Sequence, residues 1–230
     1  MIVFRKKKAI LATPPKCGSN FLQWIVHMNT TMDVGFVYLG QETSPISPGN
    51  QDSSYLFPVT YHTPFIDPQS IREKYKKYIL VRNIIDRRIS QFLFYYGYFE
   101  RVDFERVSPG DFIELAKDFN DLRKARLERR TNYRMFFSSI TEMMYPFVWD
   151  EWIDINYGLE FISKMIDKPV GQLKIPGKNE SKRPSYFKQV LPDLIPLMED
   201  YVYSYWGDDI AFGWDKLPST YKRMVQEGGK

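Results

Sequence analysis

The chain has 230 residues, 43% hydrophobic and 26% charged, with a formal net charge of +4, enough for one domain over residues 1–230 with a full core. Its one cysteine excludes an intrachain disulfide, and two histidines with no Cys/His cluster exclude a zinc site. So small an excess of positive charge makes no case for nucleic acid. No apolar run approaches the ~20 residues of a membrane span, and no apolar signal segment follows the N-terminal charges, so a soluble cytoplasmic protein with no membrane partner is expected.

Arg5–Lys8 is the one dense basic block and reads as a solvated lead-in to the first strand. Ala9–Ala12 is a short apolar run, read as a buried strand. After Thr13-Pro14-Pro15-Lys16-Cys17-Gly18, the residues Phe21, Leu22, Ile25 and Val26 fall on one face of a 3.6-residue repeat, which predicts a helix over Ser19–Met28. A glycine at such a strand-to-helix junction lets backbone amides approach a ligand closely. The helix start adds unbonded N–H groups and the positive end of its dipole. With Lys16, Ser19 and Asn20 beside them, the junction suits a phosphate or sulfate group. It is not a standard G-x-x-x-x-G-K-[ST] loop, because Lys16 precedes the only glycine, and this disfavours ATP with magnesium.

Val34–Leu39 reads as a second strand and Gln41–Ser54, rich in Ser, Pro, Gly, Asn and Gln, as a long surface loop. Leu56–Tyr61 reads as a strand ending at His62-Thr63-Pro64, and Ile66–Lys77 as a short helix. Tyr78–Val81 is another buried strand, and Ile89, Phe92, Leu93 and Tyr96 then mark an amphipathic helix. This second junction carries Arg82, Arg87, Arg88, Asp86 and Ser90. Ser108 and Pro109 read as the N-cap and first position of a further helix. Arg123–Arg134 is helical or exposed, Trp152, Ile155, Leu159, Ile162 and Ile166 predict a helix, and Gly171–Ile175 a late strand. Pro176–Ser185 is a basic loop, and Leu191, Leu194, Ile195, Met198 and Tyr205 mark a last helix. Strands alternating with helices predict an α/β fold with a mostly parallel central sheet flanked by helices.

The two junctions carry a family resemblance. The chain resembles the sulfotransferases that use 3′-phosphoadenosine 5′-phosphosulfate (PAPS). Their P-K-[SAC]-G-T-[TS]-[WFL] loop corresponds to Pro15-Lys16-Cys17-Gly18-Ser19-Asn20-Phe21. Their V-R-[ND]-P-x-D-x-x-x-S segment corresponds to Val81–Ser90, with the spacing from Arg82 to Ser90 kept. Their K-T-H-[LT]-P segment is similar to Thr60-Tyr61-His62-Thr63-Pro64, in the right order along the chain. Asp208–Trp214 is similar to the family's D-x-x-x-F-G-Y ending and is assigned a structural role. The match covers about Ala9–Tyr96. Beyond it, the family's R-K-G loop has no counterpart in Pro176–Lys188, where Lys182 and Arg183 are the candidates for the 3′-phosphate. Asn20 replaces a hydroxyl residue, Ile84 a proline and Thr60 a lysine.

The resemblance implies a P-loop NTPase-like sulfotransferase fold and in-line transfer of a sulfonate from PAPS to a hydroxyl or amine of a small-molecule or glycan acceptor, releasing 3′,5′-bisphosphoadenosine (PAP). His62 would take the acceptor proton, as an unperturbed imidazole near ~6.5 suits a base at neutral pH. Lys16 would neutralise charge on the oxygen between sulfur and the 5′-phosphate. Cys17, Gly18, Ser19 and Asn20 would hold the 5′-phosphate, Phe21 would stack on the adenine, and Arg82 and Ser90 would hold the 3′-phosphate. No metal is required. Plainer roles stand beside these: Arg82 as an ion-pair partner of Asp86, Ser90 as an ordinary helix residue, His62 as a turn histidine and Asp86 as a helix cap. The alternatives are a P-loop-like kinase or phosphotransferase, which needs magnesium and a strand-end or helix-start carboxylate, and a non-catalytic nucleotide-binding protein.

Overall fold

Among the described residues, six strands form one sheet, ordered β4-β3-β1-β2-β5-β6. The computed structural model describes residues 2–30, 34–38, 41–43, 74–127, 137–144, 148–176 and 183–228. They group into two compact units, residues 1–81 with 142–179 and residues 82–141 with 180–230.

The first unit holds the sheet. Its strands are β1 (Ile2–Phe4), β2 (Ala9–Ala12), β3 (Val34–Tyr38), β4 (Gln41–Thr43), β5 (Lys76–Val81) and β6 (Glu151–Asp154). The apolar run Ala9–Ala12 is buried throughout because β2 has β1 on one side and β5 on the other. β2 runs parallel to β5, and β5 to β6, whereas β1 pairs antiparallel with β2 and with β3, and β3 with β4. The sheet is therefore mixed, not mostly parallel. The cause is β1, which the sequence reading did not foresee. Arg5–Lys8 is the turn of a hairpin, closed by Lys8 at φ +48° and by its N–H donating to the Arg5 carbonyl at 3.1 Å. Gln41–Thr43 likewise adds an antiparallel strand where a loop was expected, and the rest of that stretch lies outside the described residues.

Among the described residues this unit also holds the helices α1 (Ser19–Asn29) and α5 (Gly158–Met165). The helix expected over Trp152–Ile166 is a strand, a 3-10 turn (Ile155–Tyr157) and α5 in succession. Its apparent 3.6-residue period joined three different elements. Gly171–Ile175 is not a strand: Val170–Gln172 makes a 3-10 turn and no ladder follows. Lys76 and Lys77, expected at a helix end, open β5 instead. The strand Leu56–Tyr61 and the rest of the helix Ile66–Lys77 fall outside the described residues up to residue 73.

The second unit is helical among the described residues: α2 (Ile84–Phe94), α3 (Pro109–Leu127), α6 (Phe187–Tyr205), α7 (Gly207–Ala211) and α8 (Thr220–Gly228), with α4 (Ile140–Met144) beginning in it and crossing the sequence boundary after Thr141. Ser108 caps α3 as expected, accepting the Asp111 N–H at 3.2 Å and donating to its carboxylate at 2.7 Å. Pro192 and Pro196 sit inside α6, on its exposed face, so the apolar stripe on the other face overrides them. The core here is aromatic, with Phe92 in ring contact with Tyr96, Phe104, Phe112 and Phe119.

Tyr96 lies in a single π-helical turn (Tyr95–Phe99) that extends α2. Burial, aided by the Asp118 and Glu100 carboxylates, pushes its phenol from 10.0 up to about 12. A folded-state value above the unfolded one gives stability that is present below the unfolded value and lost as pH rises through the folded one. In an ultraviolet absorbance titration Tyr96 should ionise near 12, and the Tyr96→Phe variant should lose one tyrosine's worth of absorbance change there.

Candidate anion-binding site

The first unit presents the Lys16 loop. β2 ends at Ala12, and the chain turns through Thr13-Pro14-Pro15, where the Cys17 N–H donates to the Pro14 carbonyl at 3.2 Å. Lys16 and Gly18 then both adopt left-handed backbone, at φ +64° and +76°, with Cys17 between them. Left-handed residues at a loop of this kind are a feature of anion-binding nests. Gly18 is the N-cap of α1 and offers no side-chain oxygen to its first turn, where no acidic residue stands either. The first α-helical bond runs from the Leu22 N–H to the Gly18 carbonyl at 3.1 Å. The N–H groups of Ser19, Asn20 and Phe21 precede it, at the positive end of the dipole.

Gly18 is required twice. A left-handed φ costs other residues about 1–2 kcal/mol. A Cβ placed there would also lie 2.3 Å from Ile155 Cδ1. The Cys17 side chain is fully buried, so its thiol packs, and its N–H is already engaged with the Pro14 carbonyl. Ser19 is buried, while Lys16 and Phe21 are half-buried. Asp154, which the sequence reading passed over, ends β6 just before Ile155. It is buried and accepts from the Asn156 backbone N–H at 3.0 Å and its Nδ2 at 2.9 Å. Read as part of a helix, it gave no sign of being a strand-end carboxylate.

The second unit begins at Arg82, the residue after β5. Asn83 caps α2, accepting from the Ile85 and Asp86 N–H groups at 3.1 Å each. Its amide also donates to the carbonyls of Asp215 (2.9 Å) and Leu217 (2.7 Å). That clamp, the fully buried Trp214 and Gly213 at φ +74° give the Asp208–Trp214 ending the structural role expected of it. Asp209 within it accepts from the N–H groups of Ile140 (2.7 Å) and Thr141 (2.9 Å), capping α4.

Asp86 is a cap, but of a helix 133 residues later rather than of its own. Its carboxylate accepts from Ser219 Oγ (2.5 Å), the Thr220 N–H (2.7 Å) and the Tyr221 N–H (3.4 Å) at the start of α8. It also lies 3.6 Å from Arg82, so the plainer ion-pair role of that arginine is present in the structure. Arg87 and Arg88 are fully buried and structural: Arg87 donates to the Ser138 carbonyl and lies over Trp206, and Arg88 lies over Phe119 and Tyr201. Ser90 is buried one turn beyond Asp86 on α2.

Arg183 and Arg82 meet at one side chain. Their guanidinium carbons lie 5.5 and 5.7 Å from the centroid of the Tyr221 ring. Arg82 also donates a hydrogen bond to the Tyr221 hydroxyl. Burial pushes that phenol above its ordinary value, while Arg82 and Arg183 pull it the other way. No local sequence pattern singled out Tyr221. Lys182 and His62 lie outside the described residues. Among the described residues, no three His, Cys, Asp or Glu side chains converge as metal ligands, and no helix is long and apolar enough to cross a membrane. No protein-family model, curated protein or solved structure matches the chain.

Proposed function

We propose that this protein is a PAPS-dependent sulfotransferase, with a P-loop-like sulfotransferase fold, acting on a hydroxyl or amine of a small-molecule or glycan acceptor. The observation that carries the proposal is the junction of β2 and α1, where Lys16 and left-handed Gly18 precede an uncapped helix start. That arrangement suits the phosphosulfate group. The helix start and backbone N–H groups hold the 5′-phosphate. Lys16 carries a fixed positive charge toward the bridging oxygen, whose S–O bond breaks as its electron pair leaves with PAP. Arg82, Ser90 and Arg183 are assigned the 3′-phosphate. His62 keeps the role of base that the resemblance gives it, taking the proton of the attacking acceptor.

One observation favours a phosphotransferase instead: Asp154 is a buried carboxylate at a strand end, the group that a magnesium nucleotide would need. Titration calorimetry of the full chain separates the two. The sulfotransferase proposal expects PAP to bind without added metal and ATP to gain nothing from magnesium. Binding of ATP that depends on magnesium, with none of PAP, would overturn it.

A further inference from the structure

We infer that Tyr221 is a ligand-binding residue, donating its hydroxyl proton to the anionic group that Arg82 and Arg183 receive. The inference rests on the proposed PAPS chemistry, in which that group is the 3′-phosphate. Tyr221 stands at the start of α8 and is only 3% exposed. The Arg82 guanidinium hydrogen-bonds its hydroxyl and lies 5.7 Å from its ring centroid. A guanidinium has only donors, so in that bond the phenol oxygen must be the acceptor. The hydroxyl's own proton is thus left without an acceptor there. A buried donor that makes no hydrogen bond is costly.

An oxyanion beside Arg82 would accept that proton. The neighbouring Asp86 carboxylate is already committed to Ser219 Oγ and two backbone N–H groups. The phenol stays protonated because burial holds it above its ordinary value. Its ring meanwhile stands edge-on to Phe187 at 5.7 Å, and Arg183 lies over both rings. The receptor therefore joins the residue before the α2 cap, the segment before α6, and α8. Two cations with a neutral donor suit a phosphate monoester, whose charge needs the former and whose several oxygens can use the latter.

The test compares PAP with adenosine 5′-phosphate, which lacks only the 3′-phosphate, by calorimetry on the full chain. Tyr221→Phe keeps the ring and removes the hydroxyl. It should weaken PAP about tenfold, as for one lost hydrogen bond to a charged group, and leave adenosine 5′-phosphate unchanged. Arg183→Gln, at a half-exposed position, should lower the same preference. If the wild type prefers PAP and Tyr221→Phe keeps that preference in full, the inference fails while the proposed function stands. Equal weakening of both nucleotides by Tyr221→Phe would make its effect structural and also overturn the inference. A wild type that binds neither nucleotide would remove the proposed function, and this inference with it.

Discussion

Gly18→Ala should cost about 2–3 kcal/mol of folding stability, and PAP binding should fall with it. Two separate effects contribute. The left-handed backbone at φ +76° costs an alanine about 1 kcal/mol or somewhat more. The new methyl would stand 2.3 Å from Ile155 Cδ1, and making room for it adds about 1–2 kcal/mol. Ile155 ends in a flexible side chain, so it will turn aside, and the 3-10 turn that carries it will shift. A double-mutant cycle separates the two parts. In an Ile155→Ala background, Gly18→Ala should cost only the conformational part, about 1 kcal/mol. Urea unfolding of the four proteins gives the coupling directly. Equal costs in both backgrounds would mean that contact with Ile155 does not set the identity of residue 18.

Asp86→Ala should destabilise the protein by about 3–4 kcal/mol, more than a capping residue on its own helix would. The carboxylate is 1% exposed and serves Ser219 Oγ and two N–H groups of α8 together with Arg82. Its removal leaves buried N–H groups without their acceptor and a cation without its counter-charge. Asp86→Asn keeps one acceptor oxygen and should lose roughly half as much. Hydrogen exchange locates the damage: the amides of Thr220 and Tyr221 should lose protection first. Damage confined to α2, with α8 still protected, would contradict the assignment of Asp86 as a remote cap.

How far the fold was legible follows from how local its causes are. The order strand, loop, helix at Ala9–Asn29 was readable because a fully buried apolar run and a helical stripe adjoin in sequence. Ser108 was readable because a cap and its helix are neighbours. β1 was not, since three residues cannot display a period. β6 was lost because Trp152 and Ile155 happen to keep helical spacing with Leu159 while belonging to a strand and a turn. The candidate site divides the same way. Lys16 and Gly18 were visible as residue types, but not the left-handed backbone of Lys16, which only the folded loop imposes. Arg82 and Arg183 stand out in the sequence separately, and no local pattern around Tyr221 indicates that it joins them.

The place of β1 in the strand order has a consequence for cooperativity. In the described sheet, this three-residue strand is the seam between the antiparallel pair β4-β3 and the parallel group β2-β5-β6. The two parts share no other ladder. Melting β1 would therefore leave two independent fragments, one of them the group that carries the Lys16 loop, and a lesion among Ile2–Phe4 would weaken concerted unfolding far more than their number suggests.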